Sequence, residues 1–175
     1  MDWLQETART PLADFVMPIL SSLSDAGILW ILLGLALLCF KATRRQGAVL
    51  LVALLLEFIF CNGILKPVVA RLRPYDVRDI ADLLVPELHD FSFPSGHTAK
   101  AAGVFLLVLL CDVYENLRGK KYIFVTAGIV WTLFIAIGRI IRAAHFASDV
   151  TSGAFFMLVS FILVRSFYDR IREKG

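Results

Sequence analysis

The chain has 175 residues, 58% of them hydrophobic, and a mean hydropathy of +0.74. Soluble domains hold about 45–50% apolar residues, so this composition excludes an ordinary soluble domain and points to an integral membrane protein. Eighteen lysines and arginines against fifteen acids give a formal charge of +3; apolar runs keep the basic residues apart, which excludes a clustered nucleic-acid footprint.

Residues 2–20 place Trp3, Leu4, Leu12, Phe15, Val16, Ile19 and Leu20 among Asp2, Glu6, Arg9, Pro11 and Asp14. This is an amphipathic pattern, expected to lie at the membrane interface in preference to crossing it. The chain opens Met1-Asp2-Trp3 with no basic leader or small-residue cleavage site, so no removable signal peptide is expected. Five apolar runs follow: Ala26–Phe40, Ala48–Leu65, Ala99–Val113, Tyr122–Ile137 and Val150–Val164. Each is slightly shorter than the ~20 residues of an average span but can borrow flanking residues, and buried core helices do not recur five times in so short a chain. The expected fold is all-α and integral to the membrane: a bundle of five transmembrane helices plus an N-terminal amphipathic or short sixth helix. Without repeats or low-complexity segments, residues 1–175 read as a single domain. Cys39, Cys61 and Cys111 lie in or beside apolar runs with no Cys-x-x-Cys pairing or metal-ligand spacing, and are expected to be small core hydrophobes.

Lys41, Arg44 and Arg45 fall between the first two runs, Arg118, Lys120 and Lys121 between the third and fourth, and Arg165, Arg170, Arg172 and Lys174 after the fifth. Five crossings put these clusters, and the C-terminus, on one side, which the positive-inside rule makes the cytoplasm. The outer face, residues 66–98 and 138–149, nevertheless contains Lys66, Arg71, Arg73, Arg78, Arg139 and Arg142. Snorkelling at helix ends accounts for Arg71, Arg78 and Arg142 as well as any function does.

Lys66, Arg73 and Arg139 belong to three short segments at that face. Lys66 and Arg73 are seven positions apart, about two helical turns, so both cations project from one side, and Pro74 marks the end of regular helix. In Phe93-Pro94-Ser95-Gly96-His97-Thr98, Pro94 stops the preceding loop and Ser95 is placed as the N-cap of the third apolar helix. A helix N-terminus offers free N–H groups to an anion, and Gly96 permits close approach to the backbone. In the third segment Asp149 follows His145 by four positions. If the fifth helix begins there, the carboxylate receives one imidazole N–H and leaves the other nitrogen free. Two histidines, a carboxylate, fixed cations, a serine and a helix N-terminus suit a phosphoryl group, whose equatorial oxygens carry the transition-state charge. With no glycine-rich nucleotide loop and no metal-cage spacing, the expected reaction is hydrolysis without ATP, a cofactor or a divalent cation.

Lys66-x6-Arg73-Pro74, then Pro94-Ser95-Gly96-His97, then Arg139-x5-His145-x3-Asp149 closely resemble, in order and spacing, the three signatures of the type 2 phosphatidic acid phosphatase superfamily of membrane lipid phosphatases. Gly138 stands where the family has a serine, which removes one hydroxyl from the third signature. The resemblance implies that His145 is the nucleophile forming a phosphohistidine, Asp149 its orienting carboxylate and His97 the general acid. It assigns the phosphate oxygens to Lys66, Arg73, Ser95, Gly96 and Arg139. The implied substrate is a lipid phosphate or diphosphate ester at the outer leaflet of the plasma (inner) membrane: an isoprenyl diphosphate, phosphatidylglycerophosphate, phosphatidic acid or a phosphorylated lipid A. Related vanadium haloperoxidases are soluble and longer, which argues against that chemistry. Phosphotransfer to an acceptor lipid uses the same residues and stays open, as does a non-hydrolytic phospholipid-binding relative, although both histidines are retained. Substrate and oligomeric state are not encoded in the motifs.

Among the remaining polar residues, Glu57 lies in the second run and is expected to have a structural partner on a neighbouring helix, away from catalysis. His89 accompanies Asp76, Asp79, Asp82, Glu87 and Asp90 in the outer loop, expected to be a lid or solvated turn too acidic to bind phosphate itself. Lys100 either reaches a lipid headgroup or snorkels.

Overall fold

A computed structural model describes residues 10, 11, 15, 27–77, 90–110 and 120–174. The amphipathic N-terminal segment, apart from Thr10, Pro11 and Phe15, lies outside the described residues, as do His89, Arg78 and Cys111.

Among the described residues every regular element is helical. The first apolar run forms α1 (Ile28–Cys39), entered from Gly27 in the left-handed region at φ +70°. Two of its terminal carbonyls are capped by the turn that follows: the Thr43 hydroxyl donates to Leu37 O at 2.9 Å and Arg44 Nε to Leu38 O at 3.2 Å. The second run forms α2 (Arg44–Glu57), which widens without interruption into a π-helical stretch, Phe58–Leu65, and tightens again as α3 (Lys66–Val69). Pro67 supplies a local reason for the widening, since its ring lacks a donor and crowds the carbonyl four residues back. The one-turn α4 (Pro74–Val77) follows, then α5 (Gly96–Leu110), α6 (Lys120–Ile141) and α7 (Ala147–Lys174).

The core lies between α1, α2, α5 and α7, where Trp30, Leu50, Ala53, Ala99, Ala102, Leu106, Met157 and Phe161 are buried. Small residues set the helix spacing. A Cβ on Gly47 would stand 2.6 Å from Gly34 O, so the α1 and α2 backbones touch. On the outside, Ile28, Leu32, Leu55, Phe58, Ile123, Val130, Phe155 and Phe167 are all more than 55% exposed. Such a continuous apolar exterior is incompatible with water and matches lipid tails.

Arg44–Val77, Tyr122–Ile141 and Ala147–Ile171 are long and apolar enough to cross a membrane, and α1 is a shorter apolar helix. Apart from Phe40, which is extended, all five sequence-predicted runs are helical over their described residues. One expectation fails: Cys61 is a buried core residue, but Cys39 sits on the exposed face of α1, where a thiol donating back to Leu35 O at 3.4 Å is at home among lipid tails.

Candidate active site

Four chain boundaries meet at one end of the bundle: the exit from α3, the start of α5, the end of α6 and the start of α7. The exit from α3 departs from the expected continuous helix. Regular helix stops at Val69, Ala70 turns left-handed at φ 46°, and Pro74 opens α4 instead of ending a helix. Proline suits a first helical position because its missing N–H has no partner to lose there. Asp76 Oδ2 accepts the Arg73 N–H at 3.0 Å, as a third-position acid does in a capping box. Lys66 and Arg73 therefore converge through a turn.

What joins them is Asp90. Its carboxylate receives Lys66 Nζ on Oδ2 and Arg73 Nη2 on Oδ1, the latter at 2.5 Å. Arg73 is 1% exposed and also donates from Nε to Asp90 O at 2.9 Å and from Nη1 to Ala144 O at 2.8 Å. Burial raises the Asp90 pKa, but the Lys66 hydrogen bond and the Arg73 charge outweigh it and bring the pKa down to about 2. The outer loop was expected to be a lid or solvated turn too acidic to bind phosphate itself; its last acid sits directly on the cations.

The second segment enters α5 through a cis Phe93–Pro94 bond. Ser95 is fully buried at the N-cap position, with Oγ 3.1 Å from Thr98 Oγ1 and at the outer limit, 3.5 Å, from the Thr98 N–H. Its own N–H donates to Asp149 O at 2.9 Å, tying the start of α5 to the start of α7. Gly153 permits this contact, because a Cβ there would stand 2.2 Å from Ser95 O. Gly96 opens α5 beside Asn62, and His97 is half-buried in the first turn.

At the third segment, α6 ends just after Arg139, which is 3% exposed. Ala143 takes a left-handed conformation at φ 52°, and the N–H groups of Ala144 and His145 return to Arg139 O at 3.1 and 3.3 Å. This turn delivers His145, 1% exposed, into the centre of the cluster. Its Nδ1 lies 2.7 Å from Ser92 O. A carbonyl only accepts, so Nδ1 carries the proton and Nε2 holds the lone pair, 3.4 Å from Arg73 Nη1. Burial, with the Arg139 and Arg73 charges and His97 prevailing over Asp149, lowers the His145 pKa to about 3 and keeps the ring neutral.

Asp149 departs from the expected geometry. The fifth helix begins at Ala147, so His145 precedes it, and Asp149 Oδ2 is 3.7 Å from Nδ1, too far for a hydrogen bond. The fully buried carboxylate instead accepts the Ser92 hydroxyl, the Phe146 N–H at 2.8 Å and Arg71 Nη1 at 2.8 Å. Arg71 and Arg142, equally compatible with snorkelling from sequence, do not snorkel. Arg71 holds Asp149, and Arg142 is buried with Nε on Gly138 O at 3.2 Å. Glu57, placed by sequence away from the site, is 1% exposed and within reach of the Lys100 and Lys66 charges. Asp90, Ser92 and Arg71 were missed as site residues. Their only signal was proximity to the signatures, with Ser92 two positions before Pro94 and Arg71 two before Arg73.

Fold and site together define a helical membrane protein with histidines and fixed cations gathered at one end of its bundle. Residues 46–173 match the PAP2 superfamily, and the chain belongs to it. It is 33% identical over 117 residues to phosphatidylglycerophosphatase B of Bacillus subtilis, covering 64% of this chain and 53% of that protein. It is 30% identical over 124 residues to undecaprenyl-diphosphatase of Sulfolobus acidocaldarius, covering 71% of this chain and 56% of that one. The chain thus spans about half the length of these curated relatives. Two crystal structures, each 27% identical, share the fold. The transmembrane PAP2-type phosphatidylglycerolphosphate phosphatase from Bacillus subtilis superposes with a TM-score of 0.77 over 96% of this chain and 84% of that one. Aquifex aeolicus LpxE superposes with a TM-score of 0.71 over 93% and 91%.

Proposed function

We propose that this protein is a lipid phosphatase that hydrolyses a phosphate or diphosphate ester of a membrane lipid without a divalent cation. The observation that carries this reading is the neutral His145, its Nδ1 proton held by Ser92 O and its Nε2 facing Arg73. A nucleophile and a cation thereby address the same small volume.

In the proposed reaction the substrate phosphate displaces the Asp90 carboxylate from Lys66 and Arg73 and is held also by Arg139, Ser95 and the Gly96 N–H. His145 Nε2 attacks phosphorus, the bond from phosphorus to the leaving oxygen breaks, and His97 gives that oxygen its proton. Water then attacks the phosphohistidine while His97, now neutral, takes a proton from it, releasing phosphate and restoring both histidines. An apolar cavity of about 440 Å³ lined by Gly27, Ile31, Leu51, Leu54, Leu55 and Phe58 opens beside Glu57 and Lys100. Lys100 follows Gly96 by one helical turn, which supports a tail-binding role for this cleft. The relatives' names make phosphatidylglycerophosphate and polyprenyl diphosphates the first substrates to examine, with phosphatidic acid and phosphorylated lipid A after them. With all five apolar helices crossing, the positive-inside rule turns the site outward and makes the C-terminus cytoplasmic.

The test is phosphate release from this panel by purified protein in excess EDTA, with a rapid alkaline detergent quench to trap labelled phosphohistidine. Turnover and a trapped adduct, both abolished in His145→Ala, are the expected result. A wild-type rate undiminished in His145→Ala refutes it.

A further inference from the structure

We infer that Arg71 and Ser92 are positioning residues which, with Asp149 between them, hold His145 as the attacking tautomer; this rests on the reading of His145 as the nucleophile. The atom that orients the imidazole is the main-chain carbonyl of Ser92, at 2.7 Å from Nδ1. Ser92 lies in a loop outside any helix, so something beyond secondary structure must fix that carbonyl. Two ties do so. The Ser92 N–H donates to Arg71 O at 2.8 Å, and the Ser92 hydroxyl donates to Asp149 Oδ2.

Arg71 stands at both ends of this arrangement. While its main chain holds Ser92, its Nη1 donates to Asp149 Oδ1 at 2.8 Å and to Ser148 Oγ at 2.6 Å, and its guanidinium stacks 4.0 Å from the Phe146 ring centroid. Stacking on an aromatic ring while donating hydrogen bonds is what a planar guanidinium supplies and an ammonium does not. A fully buried carboxylate without a cation seeks one. With Arg71 engaged, Asp149 is satisfied. Without it, the nearest protonatable group is the His145 ring, 3.7 Å away, and an imidazolium has no lone pair with which to attack.

The two sides of the ring thus have separate work. Arg71, Asp149 and Ser92 stand on the Nδ1 side, and Arg73 on the Nε2 side where phosphorus is attacked. The charged groups bearing on His145 are Arg73 after α3, His97 on α5, Arg139 on α6 and Asp149 on α7. Arg71 is the cation that acts on Asp149.

Arg71→Gln and Ser92→Ala, singly and combined, with Arg71→Lys as the conservative control, separate this role from phosphate binding. Loss of an outer-shell partner typically costs about 10–100-fold. Each single variant is expected to lose kcat on that scale, with KM and inhibition by orthovanadate within about threefold of wild type. The double variant falls little below the worse single one, because both act through Asp149, and Arg71→Lys recovers part of the loss. In 15N spectra of imidazole-labelled protein, Arg71→Gln moves His145 protonation to higher pH. A raised KM and weaker vanadate inhibition with kcat intact would make Arg71 a phosphate ligand and overturn the inference. Fully additive losses, or an unmoved His145 titration, would overturn it as well. Should Arg71→Gln not accumulate, Ser92→Ala against Arg71→Lys gives the same kcat and KM readout. Activity persisting in His145→Ala is the distinct result that removes the nucleophile assignment itself.

Discussion

In Asp90→Asn the side chain keeps its shape and one acceptor oxygen while losing the charge that engages Lys66 and Arg73. In the proposed cycle the phosphate must displace that carboxylate, so its attraction for the two cations subtracts from substrate and product affinity. The carboxylate is 51% exposed, which screens it, whereas the Lys66 and Arg73 side chains are 11% and 2% exposed. An exposed ion pair contributes up to about 1 kcal/mol, so two screened pairs amount to about 1–2 kcal/mol. At about 1.4 kcal/mol per tenfold change, that is about five- to thirtyfold in affinity. The measurement is inhibition of phosphate release by inorganic phosphate and orthovanadate at fixed pH, beside KM for the best lipid of the panel. Tighter inhibition and lower KM in Asp90→Asn are expected. Unchanged or weaker inhibition would mean that Asp90 aligns the cations for phosphate instead of competing with it, and the displacement step would have to be abandoned.

Gly153→Ala drives a methyl group into the Ser95 carbonyl, a clash with main chain that exceeds the about 1–3 kcal/mol of ordinary overpacking. Phosphate release should fall sharply and the thermal midpoint should drop; retention of both would contradict the α5–α7 contact. His145 should remain a neutral Nδ1–H imidazole in 15N spectra down to about pH 4, given its pKa of about 3; protonation near pH 6.5 would disprove that environment. Its lowered pKa also means that, between pH 6.5 and about 3, the unfolded chain takes up a proton that the folded one refuses, so His145 erodes stability as pH falls through that window. Asp90, with its pKa lowered to about 2 from 3.8, acts in the same direction at lower pH: its stabilisation is present above about pH 4 and is lost as pH falls through about 2. Acid unfolding of Asp90→Asn should lack this last component.

The helices were legible because a membrane demands unbroken apolar runs, and the five runs carry that demand openly. Lys66, Arg73, His97, Arg139, His145 and Asp149 could be singled out as candidates through spacing and family signatures. The site's wiring was not. The orienting acceptor for His145 is a main-chain carbonyl at Ser92, and a carbonyl leaves no mark on residue identity. Asp90 belongs to a loop rich in acids, where nothing distinguishes the one that folds back onto Lys66 and Arg73. Pro74 suggested a helix end, yet the break had already come at Ala70, an alanine in a left-handed conformation usually given to glycine. Arg71 could not be told from a snorkelling residue until Asp149 was seen beside it.

The π-helical stretch Phe58–Leu65 acts as a phase adjuster for the helix that carries Lys66. A residue in an α-helix advances by about 100° around the axis, and a wide turn is equivalent to one residue inserted into that count. Forcing the same eight residues to run on as ordinary α would swing Lys66 by about that angle, away from Asp90 and Arg73, whereas deleting one residue of the wide turn would leave its direction nearly unchanged. Hydropathy and span length would hardly change. A change of helical pitch that is silent in a hydropathy profile is therefore read out here in the azimuth of one lysine.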